Sequence, residues 1–383
     1  MSKNDATGKV THRRIGIPFG QLAFCMLSGI CLLLILRHSD TAITYMGQGL
    51  LLCAKTVIPS LFPFMVLSEL LVASGCGELL GRLCERPLRR LFGLSGSAAC
   101  ALMMGLVCGF PVGTKTAVSL CRRGDITVKE LSRLICFCNI PSSAFLINAV
   151  GVSLFGSRRF GLALYMICLL AALICALLWH RLYPLDIPTK NVKTTVPAFG
   201  VQTFTRAVTS AALSMLYVCA YVVFFSALIG TLGHILGQLS VGQTAIAILF
   251  GLFELSGGVL QASSVASAQT ARLLTAVLCG WSGISVHLQI LSLCDDLPGS
   301  ASIRPFPYLF SKLIQAVLCA FLFGLPSLLL PDQFFAPAQS VVAFAFSEEI
   351  TAQIIPILNV SFVLSLLVTI FVTLRHSIQN RNS

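Results

Sequence analysis

The chain has 383 residues, of which 56% are hydrophobic and only 10% charged, with 26 Lys and Arg against 14 Asp and Glu for a formal net charge of +12. Soluble domains carry about 25% charged residues, so composition excludes a soluble fold, and uninterrupted apolar runs such as residues 162–170 exclude barrel strands, which alternate. The basic excess does not point to nucleic acid, because the Lys and Arg fall mostly in short stretches between apolar segments, as membrane topology requires.

In chain order, residues 1–45 read as a cytoplasmic segment carrying Lys3, Lys9, Arg13 and Arg14, followed by a first transmembrane helix at 19–36. No small-x-small cleavage pattern follows that run, so a retained signal anchor is expected. Residues 46–182 form a first repeat. Its stretch 46–55 is expected to lie along the interface before a span at 57–73, and Arg82, Arg86, Arg89 and Arg90 mark a cytoplasmic loop. The apolar segment 97–121 is interrupted by Gly109-Phe-Pro-Val-Gly-Thr-Lys115, and 131–152 by Asn139-Ile-Pro-Ser-Ser143, before a clean span at 160–182. A polar cytoplasmic linker, 183–206, carries Pro184, Pro188 and Pro197.

Residues 207–330 repeat the order. A span at 211–229 precedes the segment 244–267, interrupted by Glu254-Leu-Ser-Gly-Gly258, and 273–293, interrupted by Trp281-Ser-Gly-Ile-Ser285; a clean span at 309–330 closes the repeat. The remainder, 331–383, reads as an extracytoplasmic loop, a last transmembrane helix at 355–374 and a cytoplasmic tail. Each repeat therefore reads as span, re-entrant hairpin, broken span, span. Positive charge in the loops starts the first repeat outside and the second inside, although Arg37, Arg158, Arg159 and Arg272 fall on the opposite side. The expected fold is all-α: a polytopic membrane protein with inverted repeats, each with a re-entrant helical hairpin and a broken transmembrane helix. A weak echo, Gly105-Leu-Val-Cys-Gly against Gly251-Leu-Phe-Glu-Leu, accompanies this order.

The 16 cysteines lie mostly in apolar stretches, where a thiol packs as a small hydrophobe; no disulfide, metal or cofactor is expected. Catalysis is not expected either, because no paired acids, metal ligands or nucleophile–base set stand out. The breaks carry the chemistry instead. An unwound backbone survives at bilayer depth only where protein or a wet cavity satisfies it, and interrupted segments at corresponding places in two halves point to a transporter's central site. Gly109, Pro111, Gly113, Thr114 and Lys115 are the expected substrate-binding residues of the first hairpin, where helix N-terminal N–H groups and an ammonium suit an anion. Glu254, Ser256 and Gly257 are their counterparts in the second, with Glu254 free to bind solute, hold a cation or pair with Lys115. Ser282 and Ser285 join them from the second broken helix. Asn139, Pro141, Ser142, Ser143, His287 and Gln289 form the coupling-ion or broken-helix set, since Pro141 frees a carbonyl that Na+ or a proton carrier can use. Glu69 is expected near an interface as a structural residue.

Three motifs, Gly109 to Lys115, Phe137-Cys-Asn-Ile-Pro-Ser-Ser-Ala-Phe145 and Gly280-Trp-Ser-Gly-Ile-Ser-Val-His-Leu-Gln289, resemble the YlbJ-type sporulation integral membrane proteins of the nucleoside-recognition (Gate) group. That group is in turn distantly similar to concentrative nucleoside transporters. The resemblance implies two re-entrant hairpins, two broken helices, a homo-oligomer and a multi-pass location in the mother-cell or forespore membrane. It matches the transporters' second-hairpin glutamate with Glu254, but Thr114-Lys115 stands where they carry a Gln-Thr-Glu-type set. With Lys115 suiting the site to an anion, the expected function is secondary transport of a small anionic solute, dipicolinate being the candidate that the resemblance implies, with Na+ or H+ as coupling ion and lipid and solute as partners. The alternatives are a nucleoside transporter and a non-transporting scaffold or signalling component of sporulation.

Overall fold

The structure, a computed structural model, describes residues 19–74, 76–184, 200–239, 241–295, 297 and 303–329. The expected N-terminal cytoplasmic segment, most of the linker and the last span at 355–374 lie outside them.

Among the described residues the apolar runs fold as helices and no strand occurs. Helix α1 (Phe19–Arg37) meets α2 (Ser39–Leu52) at a 98° bend. Residues 46–55, expected to lie along the interface as a stretch separate from the next span, are continuous with it: α2 runs through a π-helical turn (Cys53–Val57) into α3 (Ile58–Ala73). Two features explain the join. Pro59 removes the N–H that would bond the Lys55 carbonyl, and Ile58 N–H reaches back to Cys53 O in the wider turn. Ala42 and Gly49 of α2 are buried, and α2 packs on α9 (Val201–Gln238), with Gly49 so close that a Cβ there would lie 3.0 Å from Ser226. Helix α9 extends well beyond the expected 211–229. Its 38 residues give a length of roughly 57 Å, about twice a hydrocarbon core.

The expected basic loop is a helix, α4 (Cys76–Phe92), that carries Arg82, Arg86, Arg89 and Arg90 and buries Leu88. Its segment from Cys84 turns 94° into the following helical stretch. A strongly basic, amphipathic helix at a sharp turn has the form of an interfacial helix.

The first hairpin consists of α5 (Ala99–Val107) and α6 (Val112–Arg123), and the second of α10 (Gln243–Phe253) and α11 (Leu255–Ser263). The arms cross at matched glycines. A Cβ on Gly113 would fall 2.4 Å from Gly105 Cα, and one on Gly258 would fall 2.1 Å from Gly251 Cα. The broken helices follow. In the first, α7 (Val128–Leu134), opened by a capping box between Thr127 and Glu130, unwinds and resumes as a π-helix (Phe145–Leu154). In the second, α12 (Ala268–Trp281) breaks at Ser282-Gly283 and resumes as α13 (Ile284–Cys294). A long helix follows each broken helix, α8 (Arg158–Leu182) after the first and α14 (Pro305–Leu329) after the second.

Four helical runs among the described residues are long and apolar enough to cross a bilayer, and two bent pairs raise the number to six. The chain is an all-α, multi-pass membrane protein. Its core joins the halves: Leu134, Phe137, Cys175, Ile290 and Tyr308 belong to one buried cluster. Cys136, Cys138, Cys168, Cys175, Cys279 and Cys319 are free and buried; Cys136 Sγ donates to Ser132 O at 3.2 Å and Cys175 Sγ lies 2.8 Å from Ser311 Oγ.

Candidate functional site

Each hairpin tip docks on the break of the broken helix in its own half. Gly109 takes φ +78°, open to glycine at little cost, and a side chain there would strike Ser142 N at 2.4 Å. Phe110 N–H donates to Ile140 O at 2.9 Å, Ser143 Oγ to Val107 O at 3.2 Å, and Thr114 Oγ1 to Asn139 Oδ1 at 2.8 Å. In the second half Gly283 (φ +87°) lies against the Phe253–Leu255 backbone, and Trp281 Nε1 donates to Leu252 O at 3.0 Å. Freed backbone groups at the breaks are thus partly answered by the hairpins.

Between these docked pairs lies a cavity of about 510 Å³, within the 300–1,000 Å³ of small-molecule sites. All four breaks reach it: Phe110 and Pro111 from the first hairpin, Pro141 and Ser142 from the first broken helix, Glu254 and Ser256 from the second hairpin, and Ser285 and Gln289 from the second broken helix. Both π-helical stretches also line it, through Lys55 and Val57 on one side and Phe145, Asn148, Ala149 and Ser153 on the other. Val218 and Val222 of α9 complete an apolar wall. Gln289 Nε2 donates to Ser285 Oγ at 3.3 Å, and Ser142 Oγ accepts from Phe145 N at 3.2 Å, so part of the polar lining is pre-set.

Of the residues expected from sequence, Pro111, Pro141, Ser142, Glu254, Ser256, Ser285 and Gln289 line the cavity. Gly109, Gly113, Thr114, Asn139, Ser143 and Gly257 build the contacts around it. Ser282 is fully buried at φ +79°, its hydroxyl bonded to Cys279 O at 3.3 Å. His287 turns to Tyr308, Nδ1 to hydroxyl 2.9 Å, with its ring edge-on to Trp281.

Glu254 does not pair with Lys115. As N-cap of α11 it accepts from Ser256 N at 3.0 Å and Gly257 N at 2.6 Å. Capping of this kind contributes about 0.5–2 kcal/mol, so Glu254→Ala is expected to lower the thermal unfolding midpoint of the purified protein. Lys115, in the first turns of α6, is absent from the cavity lining; its Nζ lies 3.6 Å from Glu69 Oε1 on α3. Glu69 also accepts from Ser119 Oγ at 3.1 Å and Ser210 Oγ at 3.3 Å, tying α3, α6 and α9 together. Sequence reasoning left Glu69 as an interface residue because the facing helices were not known.

The supposedly clean span 309–330 also carries chemistry. Tyr308, Ser311, Lys312, Gln315 and Cys319 are buried on α14. Their spacing of three and four residues puts them on one helix face, and that polar stripe was the signal available in the sequence.

Residues 54–158 match the family model described as Gate: Nucleoside recognition, a span from the π-turn before α3 through the first hairpin and broken helix to the start of α8. No solved structure matches the chain. Over 320 residues, covering 75% of this chain and 78% of the relative, the sequence is 26% identical to the sporulation integral membrane protein YlbJ of Bacillus subtilis (strain 168). The chain is a multi-pass membrane protein whose residues 54–158 match the Gate model and which is similar along most of its length to YlbJ.

Proposed function

We propose that the protein is a secondary transporter that binds a small anionic solute in the cavity and moves it by rocking one hairpin and broken-helix unit against the other. One observation carries this reading: four chain breaks from two halves of the sequence line a single volume. Unwound backbone at bilayer depth is tolerated where it is buried in protein or lines a wet cavity, and binding between repeated halves is the arrangement of broken-helix transporters. The inverted relation of 46–182 to 207–330, Na+ or H+ coupling and assembly into a homo-oligomer belong to the same proposal.

The anion preference now rests on Lys55, which is among the residues that line the cavity, because Lys115 is neutralised by Glu69. Phe110 and Phe145 offer ring surfaces, and Asn148, Ser256, Ser285 and Gln289 offer hydrogen bonds. Dipicolinate, a small aromatic dicarboxylate, fits this combination and is the solute implied by the sporulation resemblance. The Gate description names nucleosides, which makes a nucleoside the rival solute. A scaffold role in sporulation has one observation in its favour: both Glu254 carboxylate oxygens are already engaged by backbone N–H groups, as a purely structural residue requires.

Counterflow separates these readings. Liposomes holding the purified chain are loaded with unlabelled dipicolinate or uridine and given the labelled compound outside. Dipicolinate exchange is expected. Lys55→Ala should reduce it by about tenfold or more, the equivalent of 1.4 kcal/mol of lost contact, and Ser285→Phe should block it by filling the cavity. Exchange of uridine alone would reassign the solute class. Absence of both exchanges from a normally inserted, monodisperse protein would favour the scaffold.

A further inference from the structure

The unwinding after α7 frees carbonyl oxygens, and α14 supplies their partners. The Cys136 carbonyl accepts from Ser311 Oγ at 2.6 Å and from Gln315 Nε2 at 2.7 Å, while the Asn139 carbonyl accepts from Lys312 Nζ. Lys312 is wholly buried, and its ammonium donates in addition to Gln315 Oε1 at 3.0 Å. Among the described residues no carboxylate stands within ion-pair distance of it. The titratable groups that face it are the thiols of Cys136 and Cys138 at the break, Cys168 and Cys175 on α8 and Cys319 on its own helix, with the His287 imidazole on α13. A buried charge in a membrane protein is expensive and is retained for a purpose. Here the charge is held by neutral oxygens alone, one of them a carbonyl of the broken helix. Carbonyls of unwound segments are the ligands that broken-helix transporters offer to a coupling Na+.

We propose that Lys312 is a tethered cation: its ammonium occupies the carbonyl site of the first broken helix, so the protein binds no Na+ there and, of the two coupling ions in the transport reading, H+ is the one that remains. This rests on the transport reading for its consequence, but not for its geometry. It also revises the role expected of Asn139 and Pro141: the oxygen freed at this break is already taken by a cation that belongs to the chain. Lys312 lies outside the cavity lining, so it sets the conformation of the break behind Pro141 and Ser142 without contacting solute.

The test is thermal unfolding of the full chain in lipid nanodiscs, with NaCl titrated against choline chloride at constant ionic strength. The wild-type midpoint is expected to be the same in both salts. Lys312→Ala vacates the site and should lower the midpoint by about 5 °C or more, and Na+ but not choline should restore part of that loss. Lys312→Ser leaves similar space, adds an oxygen ligand and is measured in parallel; if neither variant folds, the wild-type titration decides. A wild-type midpoint that rises saturably with Na+ would overturn the proposal. So would a variant as stable as wild type, or one on which Na+ and choline act alike. The assay needs no transport, so a protein that passes it yet fails counterflow retains the tethered cation while losing the transporter reading.

Discussion

Glu69→Leu is expected to destabilise the protein by about 3–5 kcal/mol, the cost of leaving a buried charge without its counter-charge. The Lys115 side chain is only 5% exposed, and its ammonium has no hydrogen-bond partner beyond the 3.6 Å ion pair. The reverse change, Lys115→Met, should cost less, about 1–3 kcal/mol, because Glu69 keeps the Ser119 and Ser210 hydroxyls and is more exposed, at 17%. The double variant Glu69→Leu, Lys115→Met should recover most of the loss, since well-packed apolar pairs replace buried ion pairs at little or no cost. Denaturation of the four proteins as a double-mutant cycle measures the coupling directly. Additive losses would mean that Lys115 finds its counter-charge elsewhere, with Glu254 the first place to look.

The second large effect is at the hairpin crossings. Gly258→Ala would set a methyl carbon 2.1 Å from Gly251 Cα, and Gly113→Ala one 2.4 Å from Gly105 Cα. In both cases the obstacle is backbone, so no rotamer change relieves it and the arms must separate. Overpacking of this kind costs about 1–3 kcal/mol and occasionally more; with the obstacle fixed, each substitution is expected at or above the top of that range. A separation at the crossing also pulls the tip off the neighbouring break, so the cavity opens along with the hairpin. Gly47→Ala is the matched control: no atom lies within 4 Å of the added carbon, and replacing a helical glycine should stabilise by about 0.5–1 kcal/mol. Elution profile and unfolding midpoint read all three. Wild-type behaviour of Gly258→Ala and Gly113→Ala would refute close contact between the arms.

The breaks were legible from local chemistry. Pro111 and Pro141 lack N–H groups, Gly109 and Gly283 reach positive φ at little cost, and Glu254 is followed by the glycines of a new helix. Such residues end a helix wherever they stand, so the order of hairpins and broken helices follows from the letters. Continuity misled in the other direction. Nothing in 46–56 stops a helix, and the expected division before the span at 57–73 came from reading apolar runs one at a time.

What the linear chain determined by itself is where the backbone must unwind in an otherwise apolar, all-helical membrane protein. Only the tertiary structure decided which groups meet across the gaps: Lys115 with Glu69, Lys312 with the Asn139 carbonyl, Lys55 with the cavity. A break is a property of a few neighbouring residues. A partner depends on how each helix is rotated about its axis, and a helix that is apolar on every face carries no pattern from which that rotation can be read.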